Sequence, residues 1–444
     1  MNELVLTADD LETLRSDLLA SPDEQCAILF ASQAHRSNGT TRLLVRDIVL
    51  PTASDYSAQG IEHAELKPEF VARVAKRAKQ EKLLLVFVHT HPGDGRPSFS
   101  RVDDQGEAIL SSFLSHRIPD TRHASLVMSN GGLCARFLST NEYLRVISVG
   151  QHRVVEYDPE AQRDIDMNVF DRQIRAFGTE GQQILQGLRI AIVGLGGTGS
   201  ILANQLVHLG VRDFILIDPD RVEETNLNRV VAATPADVGS LKVEISKRYI
   251  TTFSSGAHVE CVPGNVVYAS IARKLIDADI IFGCTDSHGS RSVIQQISYQ
   301  YLIPFLDVGS TITTNQGCVT GIFGRVQLLG PGEPCLWCSN LLSSEEVRRD
   351  MMNELERKTD PYIQGANEPA PSVISLNGTV VSLAVTMMLG LTTSAPIDSR
   401  HIIYNAVAST LRPVRALSNE NCFICSPSGV LARGDSQPLF ARQD

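Results

Sequence analysis

Three groups of residues in this 444-residue chain have types and spacings that could do chemistry. The first is Gly194-x-Gly196-Gly197-x-Gly199, which follows an apolar run at 190–193 and precedes a second run ending in Asp218. Such glycines let the backbone turn tightly and approach phosphates, and the helix that follows presents unpaired N–H groups and a partial positive charge. Asp218 stands where ribose hydroxyls could donate to it. The loop alone suits many nucleotides, nicotinamide dinucleotides included. Downstream lie Asp220, Asn226, Arg229, Lys242 and, in the run IIFGCTDSHGSR, Asp286. A hydride carrier does not need that set, whereas a triphosphate does. Arg229 and Lys242 can neutralise phosphate charge, and Asp286 can hold a magnesium ion that bridges phosphates. ATP with magnesium is the expected ligand of this set.

The second group is His89, His91 and Asp103 in VFVHTHPGDGRPSFSRVDD. Residues two apart on a strand share a face, so both imidazoles point one way. Two histidines, a carboxylate and an open fourth position make a catalytic zinc set. Ser100 and Asp103 also fit a helix N-cap with an acid three residues on, a role compatible with ligation. The third group is Cys335-Leu-Trp-Cys338 and Cys422-Phe-Ile-Cys425. Two Cys-x-x-Cys knuckles suit tetrahedral zinc, which would tie the later pair back to the earlier one; the alternative is four unmetallated buried thiols.

The elements that must position these residues fall into two halves. Residues 1–150 mix helical spacing at 8–19, 68–80 and 104–114 with strand patterns at 25–31 and 83–88, which predicts an α+β domain. A polar linker at 151–165 follows. Residues 166–444 open with a helix at 168–185, then strand, glycine turn, helix and strand, the start of a Rossmann-like doubly wound α/β domain. With 43% apolar and 20% charged residues the composition is that of ordinary globular proteins. The net charge of −10 disfavours a nucleic-acid partner. No secretory signal is visible, and the longest apolar run, 380–391, is too short to span a bilayer and reads as a buried helix. Nine cysteines without such a signal point to a reducing, cytoplasmic setting.

Residues from about 168 to 426 resemble the ThiF/MoeB/HesA family of ubiquitin-activating-enzyme relatives, through GLGGTGS, the run from LIDPD to TNLNR, DVGSLK, CTDS and GEPCLWC. The resemblance implies adenylation of a C-terminal carboxylate, as on a Gly-Gly tail. Asp218 would bind ribose, Asn226, Arg229 and Lys242 the phosphates, and Asp286 magnesium; Asp220 lies within the matched run and joins the nucleotide-binding set. The Arg172-Gln173 pair matches an arginine that reaches the nucleotide of the opposite subunit, which implies a homodimer. The paired knuckles correspond to a structural zinc site. Many relatives pass the acyl group to a cysteine in a crossover loop, here about 343–371, yet this loop has none. The acyl group would then stay an adenylate, move to a hydroxyl such as Thr359 or Ser372, or reach Cys318.

The first half resembles JAMM (JAB/MPN-plus) metalloproteases, through His-x-His-Pro, Ser-x-x-Asp and an upstream Glu24-Gln25-Cys26. That implies Glu24 as general base for a zinc-bound water, Ser100 as oxyanion support, and His89, His91 and Asp103 as ligands. The step from His91 to Ser100 is one residue longer than usual, and Asp103, rather than Asp104, keeps the Ser-x-x-Asp relation. The fusion resembles proteins of bacterial ubiquitin-like conjugation systems, several of which serve phage defence. Its implied partners are a ubiquitin-like protein with a C-terminal glycine and a conjugating-enzyme-like protein. Activation of a sulfur carrier and a non-catalytic scaffold are the rival readings.

Overall fold

The computed structural model describes residues 1–160, 168–353 and 371–443. The chain forms two compact units: Met1–Gln162 with Gln300–Leu302 and Val430–Pro438, and Arg163–Tyr299 with Ile303–Gly429 and Leu439–Asp444.

The first unit runs β1 (Glu3–Thr7), α1 (Ala8–Leu18), β2 (Cys26–His35), β3 (Thr41–Val49), β4 (Tyr56–Gly60), β5 (His63–Leu66), α2 (Pro68–Glu81), β6 (Leu84–Thr90), α3 (Arg101–Arg117), β7 (Ala124–Ser129), β8 (Gly132–Phe137), β9 (Tyr143–Val149) and β10 (Arg153–Tyr157). Its main sheet has the order β1-β3-β2-β6-β7-β8-β9-β10, and β1 also pairs with β9, so the sheet closes on itself. Alternation along β2 and β6 divides the apolar residues between two cores. Ala27, Leu29, Val86 and Val88 pack with Leu11 and Leu14 of α1, while Ile28, Phe30, Leu85 and Phe87 pack with Phe70 and Val74 of α2 and Leu114 of α3. Helix α3 starts at Arg101, three residues before the apolar spacing begins, because Ser100 caps it. The Ser100 hydroxyl accepts from Asp103 N–H and the Asp103 carboxylate accepts from Ser100 N–H, a reciprocal capping box.

The segment Val430–Pro438 completes this unit from far along the sequence. Ser32 Oγ donates to Ala432 O at 2.6 Å, and His35 N–H donates to Asp435 Oδ2 at 2.8 Å. Gln300 Nε2 donates to the carbonyls of Gly434 and Gln437 at 2.7 and 2.6 Å.

Elsewhere in this unit His123 is buried, and its Nδ1 accepts the Leu85 N–H at 3.0 Å. Burial pushes its pKa down to about 4, against ~6.5 in the unfolded chain. Between those values the unfolded chain binds more protons, so stability rises with pH there. The contribution is complete above about pH 6.5 and drains away as pH falls toward 4, by up to roughly 3 kcal/mol. Melting temperatures across pH 4–7 should fall less steeply in His123→Asn than in the wild type; parallel curves would refute this.

The second unit runs α4 (Asp171–Gly187), β11 (Arg189–Val193), α5 (Gly197–His208), β12 (Asp213–Ile217), α6 (Lys242–Phe253), β13 (His258–Val262), α7 (Ala269–Ala272), β14 (Ile280–Gly283), α8 (His288–Gln300), β15 (Phe305–Asn315), β16 (Cys318–Leu329), α9 (Ser344–Met351), α10 (Ile374–Thr392), β17 (His401–Asn405) and β18 (Thr410–Pro413). Its sheet has the order β13-β12-β11-β14-β15-β16-β17-β18, parallel through β15 and antiparallel beyond. Strand order reverses between β11 and β14, and such a switch point opens a crevice at the strands' C-terminal ends. Helix α4 breaks at Phe177–Gly178. Helix α10 outruns the apolar stretch at 380–391, and by length and composition it is long and apolar enough to cross a membrane. Its Val380, Val381, Ala384, Met387, Met388 and Leu391 nonetheless form the core with β11, β15 and α5.

Candidate functional site

Gly194, Asp218 and Asp286 all lie just past the C-terminal ends of adjacent parallel strands, β11, β12 and β14. Gly194 holds φ at +89°, and a Cβ there would sit 2.6 Å from Cys284 O. A Cβ at Gly199 would overlap the Gly194 carbonyl oxygen, so α5 approaches the loop only because position 199 has no side chain. Gly199→Ala is therefore expected to abolish the thermal shift that ATP gives; retention of the full shift would show that the loop adapts.

Asp218 is buried, and its carboxylate accepts from Leu195 N–H at 2.6 Å and Asp220 N–H at 2.8 Å. Burial raises its pKa, with Lys242 and those two donors opposing. Each oxygen retains a second lone pair for an outside donor. Lys242 opens α6 and its Nζ lies 2.8 Å from Asp220 Oδ2. Arg229 runs beside the loop: a Cβ on Gly197 would meet its Cδ at 3.3 Å and would also meet Asn377 Nδ2. Arg229 Nη1 donates to Thr225 O at 2.5 Å, and buried Asn226 accepts from Glu223 N–H at 3.3 Å. Asp286 is exposed, as is Arg172 in the first turn of α4. The loop thus gathers Gly194, Gly196, Gly197, Gly199, Asp218, Asp220, Arg229 and Lys242 in one crevice with backbone donors and two cations, a setting fit for a polyphosphate. Asn377, facing Gly197, was not legible in the sequence, because only the packing of α10 against α5 brings it there.

Four sulfurs meet in this unit: Cys335 Sγ lies 3.5 Å from Cys422 Sγ and Cys338 Sγ 3.7 Å from Cys425 Sγ. All four ligand atoms fall within 4.8 Å of one another. Tetrahedral zinc with Zn–S near 2.3 Å places sulfurs about 3.8 Å apart, so the donor set fits. The four close sulfurs perturb one another strongly: the proximity of Cys335 and Cys425 drives the Cys335 thiol up and the Cys425 thiol down. Of the other cysteines, Cys284 is pushed up to about 12 by burial, Cys261 to about 11, and Cys318 is exposed near the β15–β16 turn. Ser372 accepts from Asn377 Nδ2 at 3.0 Å; Thr359 lies outside the described residues.

In the first unit, His89 and His91 at the end of β6 bring Nε2 atoms to 3.2 Å from each other. Asp103 Oδ1 is 3.1 Å from His89 and Oδ2 3.5 Å from His91. These separations match a tetrahedral cation with nitrogen and oxygen ligands near 2.0–2.2 Å, so the residues fit zinc. Asp104 points elsewhere, 2.6 Å from Arg136 Nη2. Burial works to raise the Asp103 pKa, but the two histidines and Ser100 N–H hold it well below the usual carboxylate range; its hydrogen bond raises His91 in turn. Cys26 pairs across from His89, which places Glu24 beside the histidines, and burial raises the Glu24 pKa. The β4–β5 hairpin fixes that segment. Glu24 N–H donates to Gly60 O at 2.8 Å, Gln59 Nε2 donates to Glu24 O at 2.9 Å, and Cys26 N–H donates to Tyr56 OH at 2.9 Å. This support was unforeseen, since nothing in residues 56–66 carries a chemical signature.

Residues 170–424 match the model of the ThiF family, and residues 11–135 match that of prokaryotic homologs of the JAB domain. Molybdopterin-synthase adenylyltransferase of Escherichia coli is 27% identical over 266 residues, 59% of this chain and 97% of that protein. SAMP-activating enzyme E1 of Haloferax volcanii is 25% identical over 253 residues, 57% of this chain and 86% of that protein. Among solved structures, E. coli MccB with MccA-N7isoASN is 20% identical with a TM-score of 0.46, covering 60% of this chain and 76% of that one.

Proposed function

We propose a function on this premise: the chain belongs to the ThiF family and carries a prokaryotic JAB-like domain ahead of it. It is an ATP-dependent adenylyltransferase that activates the C-terminal carboxylate of a ubiquitin-like protein for conjugation. One carboxylate oxygen attacks the α-phosphorus, an acyl-adenylate forms, and pyrophosphate leaves. The observation that carries this reading is the crevice in which Asp218, the glycine loop, Arg229 and Lys242 converge beside the end of β14. There Asp218 takes the ribose, while Asn226, Arg229, Lys242 and Asp220 surround the phosphates. Magnesium, held by Asp286, would offset charge on the leaving phosphates. Arg172 serves the nucleotide of a second copy, so the active form is a homodimer. The four cysteines hold a structural zinc.

The boundary of the N-terminal domain moves from 150 past β10, because Arg153–Tyr157 pairs with β9 rather than forming part of a linker. This domain is the second enzyme: a metallo(iso)peptidase that matures or removes the same modifier. When bound by His89, His91 and Asp103, zinc supplies a water with a pKa near ~7. Glu24 takes the proton and Ser100 steadies the oxyanion. A bacterial conjugation system with a conjugating-enzyme-like partner, including one for phage defence, accommodates both activities. Sulfur-carrier activation is the second reading, favoured by the molybdopterin-synthase relative, whose length the match nearly spans.

ATP–pyrophosphate exchange that depends on an added ubiquitin-fold protein ending in Gly-Gly tests the adenylation. Exchange without such dependence, or none with any such protein, would overturn it. The loop at about 343–371 has no cysteine, so we expect any trapped acyl intermediate to resist thiol and yield to mild base; rapid thiol release would instead identify a thioester.

A further inference from the structure

A buried carboxylate beside the nucleotide loop is surrounded by more positive charge than its own neutralisation requires. Asp307 on β15 lies in register with Gly283, the last residue of β14 and three before Asp286. It is fully buried and meets two guanidiniums, Arg291 from α8, whose Nε is 3.1 Å from Oδ1, and Arg325 Nη2 from β16. Burial alone would raise the Asp307 pKa; the two arginines bring it below the ordinary value, so the group stays ionised. Two cations on one anion leave an excess positive charge.

That excess is reachable. The Arg291 and Arg325 side chains keep 14% and 16% of their exposure. Arg325 Nη1 makes no hydrogen bond among the described residues, although buried donors are nearly always satisfied, while Arg291 Nε is turned to Asp307 Oδ1 and leaves its Nη2 toward Gly309. The guanidiniums converge on Gly309: a Cβ there would stand 3.3 Å from Arg291 Nη2 and 3.9 Å from Arg325 Nη2. Neighbouring His401 is held neutral, at about 4, by burial and by Arg325, so it adds no competing charge. One arginine would neutralise the carboxylate; the second leaves charge to spare. Two arginines around a glycine make a seat for an incoming anion, with the planar, bidentate donors that carboxylates fit.

Adenylation must bring such an anion to a nucleotide that is itself negative, and cations at the glycine loop are occupied by phosphates. We propose that Arg291, Arg325 and Gly309 form the seat for the free carboxylate of the incoming chain end, holding it beside the nucleotide loop. This rests on the adenylation reading and assigns the site of its second substrate. The sequence had the hint: Arg291 closes the CTDSHGSR run, one helical turn and a half beyond Asp286.

The test titrates the full chain, loaded with a non-hydrolysable ATP analogue, with a short peptide ending in Gly-Gly as the free acid and as its C-terminal amide. The wild type should prefer the acid by about ten-fold or more, the effect of one charge-assisted bidentate contact. Arg325→Met should bring acid and amide to within about two-fold, with the affinity for the nucleotide analogue unchanged. Gly309→Ala does the same while keeping every charge, so it serves if loss of the arginine disturbs folding. Equal binding of acid and amide to the wild type overturns the proposal, as does an acid preference that survives Gly309→Ala. Failure of the adenylation reading looks different, because then the nucleotide analogue itself would not bind.

Discussion

Asp286→Ala is expected to lower ATP–pyrophosphate exchange on the order of a thousand-fold while leaving peptide cleavage by the JAB-like domain intact. Asp286 is exposed past the end of β14, so its removal opens no cavity and should not change the melting temperature. The loss comes from the transition state, in which charge builds on the departing pyrophosphate and a bridging cation at that carboxylate would stabilise it. Asp286→Asn tests charge against shape, since the amide keeps the volume but binds a divalent cation poorly. Exchange within ten-fold of wild type in either variant, with folding intact, would remove Asp286 from the reaction.

The opposite phenotype is expected for His89→Ala: cleavage of a Gly-Gly-linked fusion falls on the order of a thousand-fold or more, and exchange is unaffected. The variant should also lose one zinc equivalent by metal analysis while keeping the one expected at the cysteines. His89 is half-buried at the end of β6, where the Asp103 carboxylate and Phe99 pack against it, so a modest loss of stability is expected too. Glu24→Gln separates the roles, because it should keep the metal and lose cleavage. If His89→Ala keeps cleavage, or if it abolishes exchange in a folded protein, the two-site picture fails.

Much of this was legible in the residues because the chemistry is local. The glycine loop, the His-x-His pair and the Cys-x-x-Cys knuckles each lie within a few positions, so spacing alone limits their geometry. Ser100 and Asp103 are another such case, since a capping box is a property of one helical turn. What was not legible depends on tertiary packing. Asn377 reaches Gly197 because α10 packs on α5, and Gln59 reaches the Glu24 backbone because a hairpin folds back on β2. Asp307 with Arg291 and Arg325 joins three elements that no periodicity links. The start of α3 at Arg101 follows from the Ser100 cap, which sets a helix start where apolar spacing marks only its buried face.

The Val430–Pro438 segment has a consequence at the level of the gene. No single break in the coding sequence yields the N-terminal unit whole. A product ending near residue 160 would lack the Ala432 carbonyl that Ser32 Oγ donates to, the Asp435 carboxylate that accepts the His35 N–H, and the Gly434 turn, where a Cβ would clash with the Gln33 carbonyl oxygen. A recombination event at the apparent boundary would release a JAB-like domain with an unfinished edge, so the two halves are best inherited, transplanted and assayed as one reading frame.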